Sequence, residues 1–290
     1  MKPPATRLRI LLLGGVALGV ARPAPAPTAD QIIAQARAYL GGDAALSAVN
    51  SIHFSGVVET DKVTPAGLKT EKVGIDIILQ KPYQQRIVVT GSESIETTAL
   101  DDYTAWQRTQ KVGDRYRWKL SVLGPDQIKW LRANTWEDLH FFKGIEERGG
   151  TVEVLGSAAA DGHPAVKLAF THDAGIVYTH YFDPETGKLL LSETTHGESI
   201  RTETEIMVNG LRFPQRIIQT AKGLDDKGQP AEGKLVMTFD KITLNETFPE
   251  SYFELPLVNP VDPPRAGNPP GPPPAVNSPN SPPAPGPDRK

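Results

Sequence analysis

The chain is 290 residues long, with 31 basic and 34 acidic side chains, a formal net charge of −3 and no cysteine. The missing cysteine excludes a disulfide framework, a thiolate nucleophile and a cysteine-based zinc site, so stability must come from an ordinary apolar core. A mildly acidic balance without blocks of like charge argues against nucleic acid or an anionic lipid surface as the main partner.

Lys2, Arg7 and Arg9 precede an unbroken apolar run from Ile10 to Val20. Shorter than the ~20 residues a membrane span needs, this run reads as a secretory signal peptide. Gly19-Val20-Ala21 sets small residues at the −3 and −1 positions of a cleavage site, which makes 1–21 the signal peptide and 22–29 a short linker. Export removes three positive charges and takes the net charge to about −6. With no cysteine to lipidate, the mature protein is expected to be periplasmic and soluble, without a lipid anchor or transmembrane span.

A helix is expected from Asp30, with Ile32, Ile33, Ala36, Tyr39 and Leu40 at helical spacing and Gly41-Gly42 closing it. A short second turn follows from Asp43 as N-cap. Alternation of Ile52, Phe54, Gly56 and Val58 with polar neighbours then marks a half-buried strand, and Val73, Ile75, Ile77 and Leu79 repeat it. Further strand-like runs lie near 86–90, 95–100, 103–109, 115–120, 151–155 and 164–171. One interruption, between Gly124-Pro125-Asp126 and Gly149-Gly150, carries Ile128, Leu131, Thr135, Leu139 and Phe142 at helical spacing, with Trp130 and Trp136 beside them. Such an aromatic-rich amphipathic helix must cover an apolar surface.

Two hairpins have clear turns. Asp183-Pro184-Glu185-Thr186-Gly187 joins 176–182 to 188–192, and Asn209-Gly210 joins 202–208 to 211–219. A last strand, Lys234 to Leu244, turns Leu235, Met237 and Phe239 inward. About a dozen strands in hairpin order imply a mainly β (α+β) domain over 30–257, an antiparallel sheet curled into a barrel or half-barrel. Thirteen of the 27 prolines fall between Pro260 and Lys290, so 258–290 reads as a disordered, polyproline-like tail, an inert spacer or a contact for an envelope protein.

No G-x-S-x-G elbow, phosphate-binding glycine loop or H-E-x-x-H helix occurs, so neither an enzyme nor a cofactor is expected. None of the six histidines pairs at ligand spacing on one helix. His172, His180 and His196 could meet across neighbouring strands, but no metal site is expected from them.

Several short patterns, in this order, resemble the LolA-like lipoprotein carriers and sorting proteins: the helix closed by Gly41-Gly42 before Ile52-His53-Phe54-Ser55-Gly56, then Lys81-Pro82 followed by Arg86, then the strand from Asp101 to Trp106. Tyr181 to Gly187, Val208-Asn209-Gly210 running into Phe213-Pro214, and Phe253-Glu254-Leu255-Pro256 continue the series. The resemblance implies an unclosed antiparallel β-barrel whose helices lid an apolar concave face, and a carrier of lipoprotein acyl chains or another lipid. An envelope sensing or scaffolding module that binds a protein partner is the alternative. On this reading Ile75, Ile77, Leu79, Trp106, Trp118 and Trp130 line the lipid site, and Lys81, standing where the family has an arginine, tethers the lid. Asp102 replaces the glycine of the family's Asp-Gly step, and the proline tail has no counterpart in the usual carrier.

Overall fold

The structure, a computed structural model, describes residues 26–64, 67–114, 116–173, 175–224 and 230–256. The expected signal peptide at 1–21 and tail at 258–290 lie outside the described residues. Helix α1 spans Ala29–Leu40 and begins one residue before the expected start, because Thr28 supplies the cap. Its hydroxyl accepts from Gln31 N–H at 3.3 Å while Gln31 Oε1 accepts from Thr28 N–H at 2.9 Å, which satisfies two otherwise orphan donors. Gly41 ends the helix at φ 130°, and a Cβ there would lie 2.7 Å from the Gly210 carbonyl oxygen. The end of α1 therefore rests on the Asn209-Gly210 turn. Helix α2, Asp43–Ser47, is capped by Gly42, so Asp43 is its first residue and not its cap.

Thirteen strands occur among the described residues: β1 Ser51–Thr64, β2 Gly67–Gln80, β3 Gln84–Thr90, β4 Ser94–Asp101, β5 Thr104–Lys111, β6 Trp118–Val122, β7 Thr151–Ala160, β8 His163–Asp173, β9 Ile176–Phe182, β10 Leu189–Thr194, β11 Glu198–Val208, β12 Leu211–Leu224 and β13 Pro230–Leu244. They form one antiparallel sheet in the order β6-β5-β4-β3-β2-β1-β13-β12-β11-β10-β9-β8-β7. The chain thus runs outward from β1 to one edge, crosses over through a helix to the other edge at β7, and zigzags back until β13 pairs with β1. Because β6 and β7 do not pair with each other, the sheet is an open half-barrel, as the hairpin order implied.

The crossing helix is α3, Pro125–His140, with Pro125 at its first position, where a missing N–H costs nothing. It stops where Phe141 and Phe142 both take left-handed φ values of 51° and 69°. Leu139 and Phe141 join one core with Ile52, Phe54, Ile75 and Leu79 on β1 and β2. Trp136 and Phe142 join a second core with Leu168, Phe170 and Phe182 on β8 and β9 and with Ile32 and Ala36 of α1. The helix therefore bridges both halves of the sheet. The expected stripe through Thr135 and Leu139 is widened by Trp136, which is fully buried.

On the other face, a C-terminal segment packs against β3 to β5. Trp106 Nε1 donates to the Phe253 carbonyl at 2.8 Å, and Arg86 Nη1 donates to the Tyr252 carbonyl at 2.7 Å. Phe253 is fully buried by this closure.

Candidate functional site

The inner face is defined by register. Ile52 pairs with Leu79, and Phe54 with Ile77 on one side and Ile242 on the other, while Ile77 also pairs with Ile87. Further along, Val73, Val58, Met237 and Ile217 form an unbroken row over β2, β1, β13 and β12. Alternation puts all of them on the helix side. Where the helices lie, the row is sealed: Ile52 and Leu79 are 0% exposed. Away from the helices, Val73, Ile77, Ile87, Met237 and Ile217 are only partly buried. The result is an apolar concave strip that the helices cover at one end.

Of the expected lining residues, the structure brings together Ile75, Ile77 and Leu79. Trp106 pairs with Ala99, which pairs with Arg86, which pairs with Ile78, and that series lies on the opposite face from Ile77 and Leu79. Trp118, opposite Gln110, belongs to the same outer face. The tryptophans therefore stand apart from the strip: alternation fixes the face of a residue only when the whole series of pairings is known, and a strand read alone leaves it open. Trp130 lies on α3 but packs against Tyr178 and His196, the latter with ring centroids 3.8 Å apart. Leu139 of α3 and Phe141 just past its end share the core that covers Ile75 and Leu79.

The lid is fastened by residues on several elements. Arg37 of α1, only 3% exposed, donates from Nη1 to the carbonyls of His140 at 3.2 Å and Phe141 at 2.8 Å, at the end of α3, where carbonyls lack intrahelical donors. Its Nε bonds Asp43 Oδ1 at 2.7 Å and its Nη2 bonds Ser47 Oγ at 3.2 Å. Lys81, the expected tether, sits beside a cis peptide to Pro82, its backbone N–H donating to Asn50 O at 2.9 Å. Among the described residues its ammonium makes no hydrogen bond to α3, and the fork geometry belongs to Arg37 instead. Asp102 adopts φ 49°, a region open to glycine and tolerated by aspartate, and its carboxylate pairs with Arg132 of α3. Asp102 thus supplies a second anchor. Thr135 Oγ1 bonds Gln85 Oε1 at 3.1 Å on the same side.

On the opposite side of α3 lies a buried polar cluster that composition did not disclose. Glu137 accepts from His172 Nε2 at 2.5 Å and from His180 Nε2 at 2.8 Å, and His180 Nδ1 meets Ser192 Oγ at 2.8 Å. Burial alone would push the Glu137 carboxyl up, but the His180 charge and the two imidazole hydrogen bonds outweigh it and hold the group down at about 2. A serine, histidine and glutamate in hydrogen-bond series are the parts of an acyl-transfer site. Here Phe142, Phe170 and Phe182 enclose His180 at ring distances of 5.0 to 5.9 Å. Ser192 is itself buried, so the serine hydroxyl has no open face toward a substrate. The arrangement ties α3 to β8, β9 and β10. His196 stands apart on Trp130, and among the described residues no cluster of three or more ligating side chains is arranged to hold a metal ion.

No family model matches the sequence, and no curated protein matches it. The fold is similar to that of a LolA superfamily protein from Nitrosomonas europaea, with a TM-score of 0.52 and 13% identity over 79% of this chain and 99% of that one. A DUF1329 family protein from Desulfovibrio piger overlaps with a TM-score of 0.46 at 7% identity, over 78% and 96% of the two chains. An outer membrane lipoprotein-sorting protein domain from Vibrio parahaemolyticus gives 0.40 at 10% identity, over 77% and 94%. The overlap with the Nitrosomonas europaea protein gives the chain a LolA-like fold. Among the described residues no helix is long and apolar enough to cross a membrane.

Proposed function

We propose that the concave strip binds the acyl chains of a lipid or lipoprotein, and that the protein is an exported binding protein or carrier of the bacterial envelope with no catalytic role. The observation that carries this reading is the row Val73, Val58, Met237 and Ile217, apolar across four strands, with three of its four members partly open on the lidded face. A soluble domain has no structural need to leave such a row half-covered, whereas a ligand with a flexible apolar chain completes it. The resemblance to lipoprotein carriers supports the same ligand class, and the basic, apolar N-terminal segment supports export.

Affinity follows from area. Each buried methylene contributes about 0.8 kcal/mol, so a sixteen-carbon chain enclosed on one side gains roughly 6 kcal/mol, half its full value. That corresponds to a Kd on the order of tens of micromolar, weak enough for release. Titration of the purified protein with a fluorescent fatty-acyl probe should saturate in this range. Ile77→Glu should abolish binding while cooperative unfolding persists, because Ile77 is only partly buried. A parent protein that binds no acyl probe well above that range would sink the carrier reading and turn attention to a protein partner.

A further inference from the structure

Beneath the C-terminal end of α3, the turn between β2 and β3 and helix α2 line a half-open cavity of about 270 Å³. It is lined by Arg37, Lys81, His140, Lys143 and Arg148, against one acid, Glu147. Asp43 neutralises part of this charge by bonding Arg37 at 2.7 Å and Lys143 at 3.1 Å. Lys81 and Arg148 are left over: among the described residues neither makes an ion pair. Arg148 lies 4.1 Å over the Tyr83 ring with Nη1 buried and without a hydrogen-bond partner.

Uncompensated cations lining a half-open pocket repel one another and lose part of their hydration, and the protonation equilibria register this. Burial, then the Arg37 charge, lowers the Lys81 ammonium. Burial, then the Lys81 and Arg148 charges, lowers the His140 imidazole to about 4, with only partial relief from the Trp136 carbonyl one turn back. An anion seated among these groups offsets the mutual repulsion and supplies charge-assisted hydrogen bonds in place of lost hydration. The donors arrive from separate elements, Lys81 from the strand turn, His140 from the helix end and Arg148 from the 3-10 turn at Glu146–Arg148. A tetrahedral anion offers oxygens in several directions at once, whereas a carboxylate offers two in one plane.

We propose that this cavity binds a phosphate group, carried either by a small soluble ester or by the head group of an acidic phospholipid. It is several times the ~30 Å³ of a liquid water, so it holds a phosphate with room for an attached glycerol. The assignment stands on the cavity and not on the acyl-binding strip.

The test is an NMR titration of the full chain at pH 7 and constant ionic strength, reading the His140 ring and the Ile77 methyls separately. The probes are inorganic phosphate, glycerol 3-phosphate and dihexanoyl phosphatidylglycerol, with chloride as control. Expected are a saturable His140 shift, a bound-state His140 that titrates at higher pH than the free one, and at least tenfold weaker binding in Lys81→Met. Comparable affinity for all three probes identifies a soluble phosphate ester as ligand, and marked preference for the phospholipid identifies its head group. Shifts that never saturate and are matched by chloride mean an adventitious ion only and overturn the proposal, as does Lys81→Met binding as tightly as the parent. If the phospholipid moves only the Ile77 methyls, the acyl reading survives and this one fails. If it moves only His140, the reverse holds.

Discussion

Replacing Arg37 by alanine should release the last turn of α3 before it disturbs the sheet. The guanidinium is nearly inaccessible, while its ion-pair partner Asp43 is 59% exposed, so the carboxylate regains water when the arginine is lost and the pair itself contributes little. The cost comes from the other partners: the Phe141 carbonyl, bonded at 2.8 Å in a buried position, is stripped of its donor, and the packing of the arginine stem goes with it. One stranded buried acceptor costs about 1 to 3 kcal/mol, and with the lost stem a total of about 3 kcal/mol is expected. In a domain of this size each kcal/mol moves the Tm by about 2 to 4 °C, so Arg37→Ala should melt roughly 6 to 12 °C lower. Arg37→Lys keeps the charge but reaches one carbonyl at best, and about half that loss is expected. Differential scanning calorimetry gives the size, and hydrogen exchange gives the place: amides at 139–145 should exchange faster while β1 and β2 stay protected. A Tm within about 2 °C of the parent, or exchange that rises evenly over the sheet, would refute Arg37 as the latch.

Acid should unfasten the other side of α3. Glu137 has a folded value of about 2 against an ordinary 4.5, so between these limits the unfolded chain binds more protons, and the stability present above pH 4.5 is lost as pH falls toward 2. Glu137→Gln should flatten the Tm profile over that window, and an unchanged acid slope in the variant would remove the cluster from the explanation. Gly187 takes φ 77°, and a Cβ there would stand 2.6 Å from the Gln35 carbonyl carbon of α1. Gly187→Ala should therefore cost at least ~1 to 2 kcal/mol from backbone strain alone and should displace α1. Circular dichroism with a parent-like melt in that variant would contradict the docking of α1 on this turn.

The strand order was legible because its determinants are local. Asn209 and Gly210, at φ 52° and 81°, are the two consecutive left-handed positions of a tight hairpin, and such a turn fixes its neighbours without reference to the rest of the chain. The apolar strip was legible in part for the same reason, since Ile75, Ile77 and Leu79 alternate within one strand. The tryptophans were not. Trp106 owes its outer position to a succession of pairings through Ala99, Arg86 and Ile78, and its burial to Phe253, which lies 147 residues away. Arg37 was invisible for a related reason: a lone arginine on a helix looks solvated until the carbonyls of His140 and Phe141 are brought to it. The Glu137 cluster likewise joins α3 to three strands, and only the pairing of Leu168 with His180 and of Ser192 with His180 sets its members on one face.

Convergence of distant elements also lets a chain of net negative charge hold a strongly cationic cavity. Net charge describes the far field, whereas Arg37, Lys81, His140 and Arg148 converge only because α1, the β2–β3 turn and the end of α3 meet at one rim. Within that group the roles divide by satisfaction. The guanidinium of Arg37 is committed to Asp43, Ser47 and two carbonyls, so it contributes a fixed potential to the cavity and an anchor to the lid. Lys81 has no such commitments among the described residues, and its charge is free to meet a ligand. A substitution at Arg37 therefore mixes loss of stability with loss of potential, while one at Lys81 separates them. It follows that Lys81→Met should leave the melt close to that of the parent, or raise it slightly by relieving repulsion. A large destabilisation would mean that Lys81 carries structural contacts of its own, and the division of labour between the two basic residues would have to be abandoned.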